Sequence, residues 1–273
     1  MAHIVSSDLL EDVVTVHVIG CGGTGSAVLP GLAKIHRSMK ALGHPKGLHV
    51  IVWDDDEVAL HNCIRQNFFE PDVGHAKAAT MVNRLNIAHA PAKLRWEARV
   101  ERFTAEAAPY LNADFVIGCV DSKAARNEIR MAVEGSHNPC YWIDCGNSAA
   151  SGQVIVGQGG RRIKNDPNRL PLVTELFPEI ASGPEDNAPS CSALESIMRQ
   201  GVLTNTMAAT WALAWIDAAL RHGSVEWSGI FFSLESGRVT AIPAEAEAWK
   251  KLGYVAPVSD PDHGNEGGLR MAA

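Results

Sequence analysis

No Cys-x-x-Cys pair occurs among the six cysteines, Cys21, Cys63, Cys119, Cys140, Cys145 and Cys191. The usual zinc-ligand spacing and the dithiol redox motif are therefore absent, and no zinc is expected. The thiols are scattered through apolar stretches and loops, as reduced cytosolic thiols are. None of the 11 histidines falls in an H-E-x-x-H motif. A G-x-S-x-G elbow and a G-x-x-x-x-G-K-[ST] loop are also missing, which removes two common hydrolase classes. Positive charge is scarce: 24 Lys and Arg against 31 Asp and Glu leave a net charge of −7. Such a chain has no general attraction for nucleic acid or anionic lipid. The most apolar stretch, 207–220, is interrupted by Asp217 and is too short to span a bilayer. Residues 1–12 carry Asp8, Glu11 and Asp12 where a secretory signal would be basic and then apolar. The expectation is a cytoplasmic protein without a membrane segment.

What is present is a 273-residue chain, 46% hydrophobic and 20% charged, of ordinary globular composition. A chain of this length buries about three quarters of its unfolded surface and needs no staple. Its first 157 residues alternate between short β-rich runs and helical patterns, the signature of a parallel sheet with crossover helices. The patterns predict strands at 13–19, 48–53, 94–100, 115–120, 141–144 and 153–156. They predict helices at 24–42, 74–89, 104–111 and 122–134. The fold expected is α/β: a doubly wound, Rossmann-like, mostly parallel sheet. From 158 to 189 five prolines and several glycines stand among polar residues, which reads as a long crossover or lid. A short helix from Ser192, a long helix at 203–221, a strand at 230–234 and a polar tail are expected after it. Trp211 and Trp215, four residues apart on the long helix, suit core or dimer contacts.

Gly20-Cys21-Gly22-Gly23-Thr24-Gly25 stands between an apolar strand and a helical pattern. Gly20, Gly22 and Gly25 allow a tight turn, close approach of a phosphate and close helix–strand packing. The helix start offers free N–H groups to an anion. A structural turn is the plain alternative, and the loop by itself does not name a nucleotide. Asp54, the first of four acids after the second strand, is the candidate for the ribose hydroxyls. Asn62, Arg65, Gln66 and Lys77 follow; two cations with amide donors suit β and γ phosphates. Asp121 ends the strand at 115–120, and carboxyl ends of parallel strands face one crevice. A carboxylate beside phosphates is a natural magnesium ligand. Singly these are surface charges; together they argue for ATP chemistry. An NAD(P)-dependent oxidoreductase would use the glycine loop and leave Arg65, Lys77 and Asp121 without a role. A non-catalytic nucleotide-binding subunit is the third reading.

In their order and spacing these residues resemble the ThiF/MoeB family, whose fold is shared with the adenylation domains of ubiquitin-activating enzymes. The matching residues are Gly20 to Gly25, Asp54-Asp55-Asp56-Glu57-Val58, Asn62-Cys63-Ile64-Arg65-Gln66, Gly74-His75-Ala76-Lys77, and Asp121 with Arg126. Pro189-Ser190-Cys191-Ser192, with Asn205 beyond it, further resembles the ThiF proteins of the plasmid-associated PRTRC gene system. The resemblance implies a single adenylation domain over 1–273. Its parts would be a nucleotide-binding core at 13–157, a crossover at 158–191, a helical and strand part at 192–242 and a tail at 243–273. It also implies ATP-dependent adenylation of the C-terminal carboxylate of a ubiquitin-like or sulfur-carrier protein ending in glycine. Asp54 would hold the ribose; Asn62, Arg65, Gln66 and Lys77 the phosphates; Asp121 the magnesium ion. A homodimer is implied too. Two departures stand out: residues 1–36 contain no Arg, where many relatives carry one that reaches a partner's site, and the relatives' paired C-x-x-C motifs are missing.

Cys191 precedes Ser192-Ala193-Leu194-Glu195, a capping-box pattern, and a thiol at a helix start is the more reactive thiolate. It is either a thioester-forming nucleophile or a small residue anchoring the loop. Cys21, inside the glycine loop, is expected to be hemmed in; Cys119 and Cys145 are expected to be packing residues.

Overall fold

The computed structural model describes residues 2–183 and 201–256. Val14–Ile19 (β2) is apolar at four of its six positions and buried at all six, as a strand covered on both faces must be. Beside it lie Leu48–Trp53 (β3) and, on the other side, Phe115–Gly118 (β5). Glu97–Arg99 (β4) extends the sheet beyond β3, and Cys140–Asn147 (β6) beyond β5. These five strands are parallel. Antiparallel strands Ser151–Gly159 (β7), Trp227–Ser233 (β9) and Val239–Pro243 (β10) then continue from β6. The order is β10-β9-β7-β6-β5-β2-β3-β4, a mixed and mostly parallel eight-stranded sheet. A separate antiparallel pair joins His3–Ile4 (β1) to Ser224–Val225 (β8).

Three helices make the parallel crossovers: Gly23–Ala41 (α1), Lys77–Ala88 (α2) and Lys123–Gly135 (α3). A one-turn helix, Val173–Leu176 (α4), precedes the long helix Thr204–His222 (α5), and Ala246–Lys251 (α6) comes last. Helix α5 packs along α1 and over β6 and β7. Its buried face is rich in alanine (Ala208, Ala209, Ala212 and Ala219), which lets the two helices approach closely. Trp215 is fully buried between Phe115 and Tyr141, and its Nε1–H donates to the carbonyl of Trp227 at 2.9 Å. Trp211 meets the Trp227 ring edge to face.

The parallel strands and the helices at 24–42, 122–134 and 203–221 fall where the patterns predict, with ends shifted by a few residues. Four expectations are corrected. Residues 104–111 are turns rather than a helix, because Pro109 lacks the N–H a helix would use and leaves too short a run before it. The strand at 94–100 shrinks to β4. The chain at 158–183 is also more than a bare loop. Leu170, Leu172, Val173 and Leu176 are buried there, and Arg169 grips Glu175 with both terminal nitrogens at 2.7 and 2.5 Å. Finally, the tail expected from 243 begins with helix α6, whose Trp249 is buried with its Nε1–H on Ser228 Oγ at 3.0 Å. The helix expected from Ser192 lies outside the described residues, as do Cys191 and the residues around it.

Candidate nucleotide-binding site

Register brings the candidate residues together. Ile19 pairs with both Trp53 and Gly118, and Gly118 with Asp144. The residues just beyond these ends, Gly20, Asp54, Cys119 to Asp121 and Cys145 to Asn147, therefore emerge side by side. The chain leaves β2 for β3 and β4 on one side and returns to β5 on the other, so a crevice opens at their carboxyl ends. A cavity of about 580 Å³ occupies it. Gly20, Gly22, Gly23, Asp54, Asn62, Arg65, Gln66, Lys77 and Asp121 all line it.

The turn into α1 depends on missing side chains. Gly20 has φ +89°, and a Cβ there would lie 2.7 Å from the Cys119 carbonyl oxygen. Gly25 does not line the cavity: a Cβ on it would fall 1.9 Å from the Gly20 carbonyl oxygen, inside the turn. The loop thus folds back on itself and points the first N–H groups of α1 at the cavity.

Asp54 follows the end of β3 and is half-buried. Its Oδ2 accepts from the Cys21 N–H at 2.5 Å and its Oδ1 from the Asp56 N–H at 2.9 Å. Burial raises its pKa above the ordinary carboxylate value, against these two hydrogen bonds and the charge of Lys77. The wall beside it is aromatic: Trp53 meets Phe103 edge to face, and Trp53 Nε1–H donates to His17 Nδ1 at 3.1 Å. Burial lowers the His17 pKa to about 4, so the ring is neutral and free to accept that bond.

The cations line the same cavity. Lys77 opens α2, almost fully buried, and its Nζ donates to Asp56 Oδ2 at 2.7 Å. Asp56 itself is largely exposed, with 67% of its side-chain surface accessible. The pairing was not anticipated from sequence, where Lys77 stood only as a phosphate ligand. Arg65 is half-buried; burial lowers its pKa and the negative charge of Asp121 raises it, so the two share the cavity electrostatically. Asn62 is buried, and its Oδ1 accepts from the Ala59 N–H at 2.8 Å, which holds the turn that carries Arg65 and Gln66. Gln66 Oε1 is buried without a hydrogen-bond partner among the described residues.

Two amides complete the floor, and their part in the site was not read from sequence. Asn147 Nδ2 donates to Asn205 Oδ1 at 2.5 Å, and Thr24 Oγ1 donates to the same oxygen at 3.1 Å. The ends of β6, α1 and α5 are thereby tied at one atom. Behind them Arg126 Nε donates to Asp144 Oδ1 at 3.1 Å, with Asp144 wholly buried and its pKa raised by burial against the attraction of Arg126. A second cavity, also about 580 Å³, adjoins the first through Val120, Asp121 and Asn147. Arg126, Gly146, Gln153 and Phe231 are among its walls.

Cys21 is fully buried and its thiol pKa is raised by burial, as expected of a hemmed-in side chain. The neighbouring Cys145 thiol and burial raise the pKa of Cys119. Neither suits a nucleophile. Among the described residues, no group of three or more His, Cys, Asp or Glu is arranged to hold a metal ion by itself. No helix among them is long and apolar enough to cross a membrane.

Strand order and crevice are those of a Rossmann-like α/β protein. The ThiF family model matches residues 6–248, and the chain belongs to the ThiF family. No curated protein sequence matches it. Among solved structures, E. coli MccB crystallised with ATP is similar at 16% identity and a TM-score of 0.55, over 87% of this chain and 65% of that one. Selenomethionine PaaA is similar at 15% identity and a TM-score of 0.56, over 85% of this chain and 64% of that one. This chain thus spans slightly less than two thirds of the length of either, and at these identities the likeness is one of fold.

Proposed function

We propose that the protein binds ATP in the first cavity and adenylates the C-terminal carboxylate of a ubiquitin-like or sulfur-carrier protein. The observation that carries this reading is that Asp54, Arg65, Lys77 and Asp121 line one cavity together with the glycine loop that opens α1. An acceptor-only carboxylate suits ribose hydroxyls; cationic side chains that share a cavity with a helix N-terminus suit a triphosphate. A nicotinamide enzyme would leave Arg65, Lys77 and Asp121 unused. Family membership and the MccB structure with ATP support the same reading.

Asp54 orients the ribose, while Arg65, Gln66 and Lys77 receive the phosphates, Lys77 by releasing exposed Asp56. Asp121 is the carboxylate that would hold magnesium beside the phosphates. Bound there, it would neutralise charge on the leaving pyrophosphate. The adjoining cavity admits the partner's C-terminal tail, so that its carboxylate meets the α-phosphate near Asp121 and Asn147. These groups act by positioning and by stabilising charge; the step needs no side-chain nucleophile. Cys191 is the candidate acceptor for a later thioester, and a homodimer is part of the proposal.

The test is pyrophosphate release from ATP in the presence of small ubiquitin-like proteins ending in glycine. Asp121→Ala should slow it at least ~100-fold while leaving the melting temperature of the free protein unchanged. An unchanged rate would remove Asp121 from the reaction.

A further inference from the structure

Asn205 lies in the first turn of α5, far in sequence from every other residue of the site, and 3% of its surface is accessible. Its oxygen is fully used, accepting from Thr24 Oγ1 and Asn147 Nδ2. That pair of bonds fixes which way the amide faces. The other end, Nδ2, is buried and has no hydrogen-bond partner among the described residues, although Asn205 lines the nucleotide cavity. Space for this nitrogen is made by the glycine loop: a Cβ on Gly23 would lie 2.2 Å from it. Gly23 opens α1, so the amide stands beside the free N–H groups of a 19-residue helix.

A buried donor without an acceptor is costly, and such groups persist where a ligand supplies the acceptor. We propose that Asn205 is a nucleotide-binding residue whose Nδ2–H donates to a phosphate oxygen of the bound nucleotide. The acceptor is a phosphate rather than the ribose, because Nδ2 stands against Gly23 at the start of α1, where free helix N–H groups favour an anion, whereas Asp54, itself an acceptor, suits the ribose hydroxyls. The residue is carried on the helix that follows the crossover, and the α5 start is pinned to the β6–β7 turn by Thr204 Oγ1 on the Ala149 carbonyl at 3.0 Å. Phosphate contact therefore ties the β6–β7 turn and the crossover's exit to the nucleotide.

This inference rests on the nucleotide reading above and deepens it. Its test is calorimetric titration of the full chain with ATP and, separately, with adenosine, which lacks phosphate. Asn205→Asp keeps the size of the side chain and an oxygen for Thr24 and Asn147, but replaces the donor with a negative oxygen. It should weaken ATP at least ~10-fold and leave adenosine within ~2-fold of the unaltered protein. The ratio of the two affinities is internal to each protein, so Asn205→Ala offers the same test if the aspartate variant does not fold. An unchanged ratio in a chain that binds ATP would overturn the role of Asn205 alone. If the unaltered chain binds neither ligand, the nucleotide reading falls, and this role with it.

Discussion

The two halves of the sheet solve different problems. In the parallel half, β4-β3-β2-β5-β6, every strand ends in the same direction, so each strand-to-helix loop delivers residues to one crevice. In the antiparallel half, β7-β9-β10, successive strands end at opposite edges, and of the described residues in this half only those at the β6–β7 turn reach the first cavity. The parallel half accordingly holds chemistry in its loops and packing in its strands. The antiparallel half contributes a wall to the adjoining cavity through Phe231 and Gln153, and secures the C-terminal elements through Trp249 and Ser228. The junction between them, β6, carries Asp144, buried and paired with Arg126 of α3. Topology decides which residues can meet a ligand at all.

That contrast can be broken experimentally. The largest effect is expected at the junction. Arg126→Ala leaves Asp144 charged and alone in the core and should destabilise the fold by about 3–5 kcal/mol, read by chemical denaturation. A loss within the range of a surface substitution would mean that Asp144 is neutral without Arg126. Gly25→Ala, in the parallel half, forces a Cβ onto the Gly20 carbonyl and should cost about 3 kcal/mol and abolish ATP binding together. Ser228→Ala, in the antiparallel half, removes the acceptor of the Trp249 N–H and should cost about 1 kcal/mol with ATP affinity unchanged. If Ser228→Ala weakened ATP as much as Gly25→Ala does, the division of labour between the halves would be wrong.

The same contrast explains what could be read from sequence. The parallel half was legible because Val14–Ile19 and Leu48–Trp53 are largely apolar, β-rich runs bounded by glycine or acidic residues, and Gly20 to Gly25 marks the turn between strand and helix. That Asp54 and Asp121 meet Lys77 in one cavity was legible because the first two follow strand ends and Lys77 opens a helix within that half; Arg65 lies on the loop between β3 and α2. The antiparallel half was harder. β10 is mostly exposed, with Ile242 its only buried residue, and it ends in Pro243, so it lacks the alternation of a half-buried strand. Residues 104–111 carry helix-forming alanines, but Pro109 and the Thr104 and Glu128 side chains direct the backbone into turns: Ala107 N–H donates to Thr104 Oγ1 and Ala105 N–H to Glu128 Oε2. The hydrogen bonds of Asn205 to Thr24, 181 residues away, and to Asn147, 58 away, leave no local trace. Nor does the capture of buried Lys77 by Asp56, which depends on how far α2 enters the cavity. Local pattern reports strand ends; it does not report which side chains the fold closes over them.

The central claim is that the crevice of the parallel half takes ATP. The direct measurement is the melting temperature of the full chain with ATP and magnesium, and separately with NAD and NADP. At 100 times the dissociation constant a ligand adds about 2.7 kcal/mol of stability, which is a readily measured shift. The account predicts a shift with ATP and magnesium and none with NAD or NADP. A shift with NAD or NADP alone would contradict it and return the glycine loop to oxidoreductase chemistry.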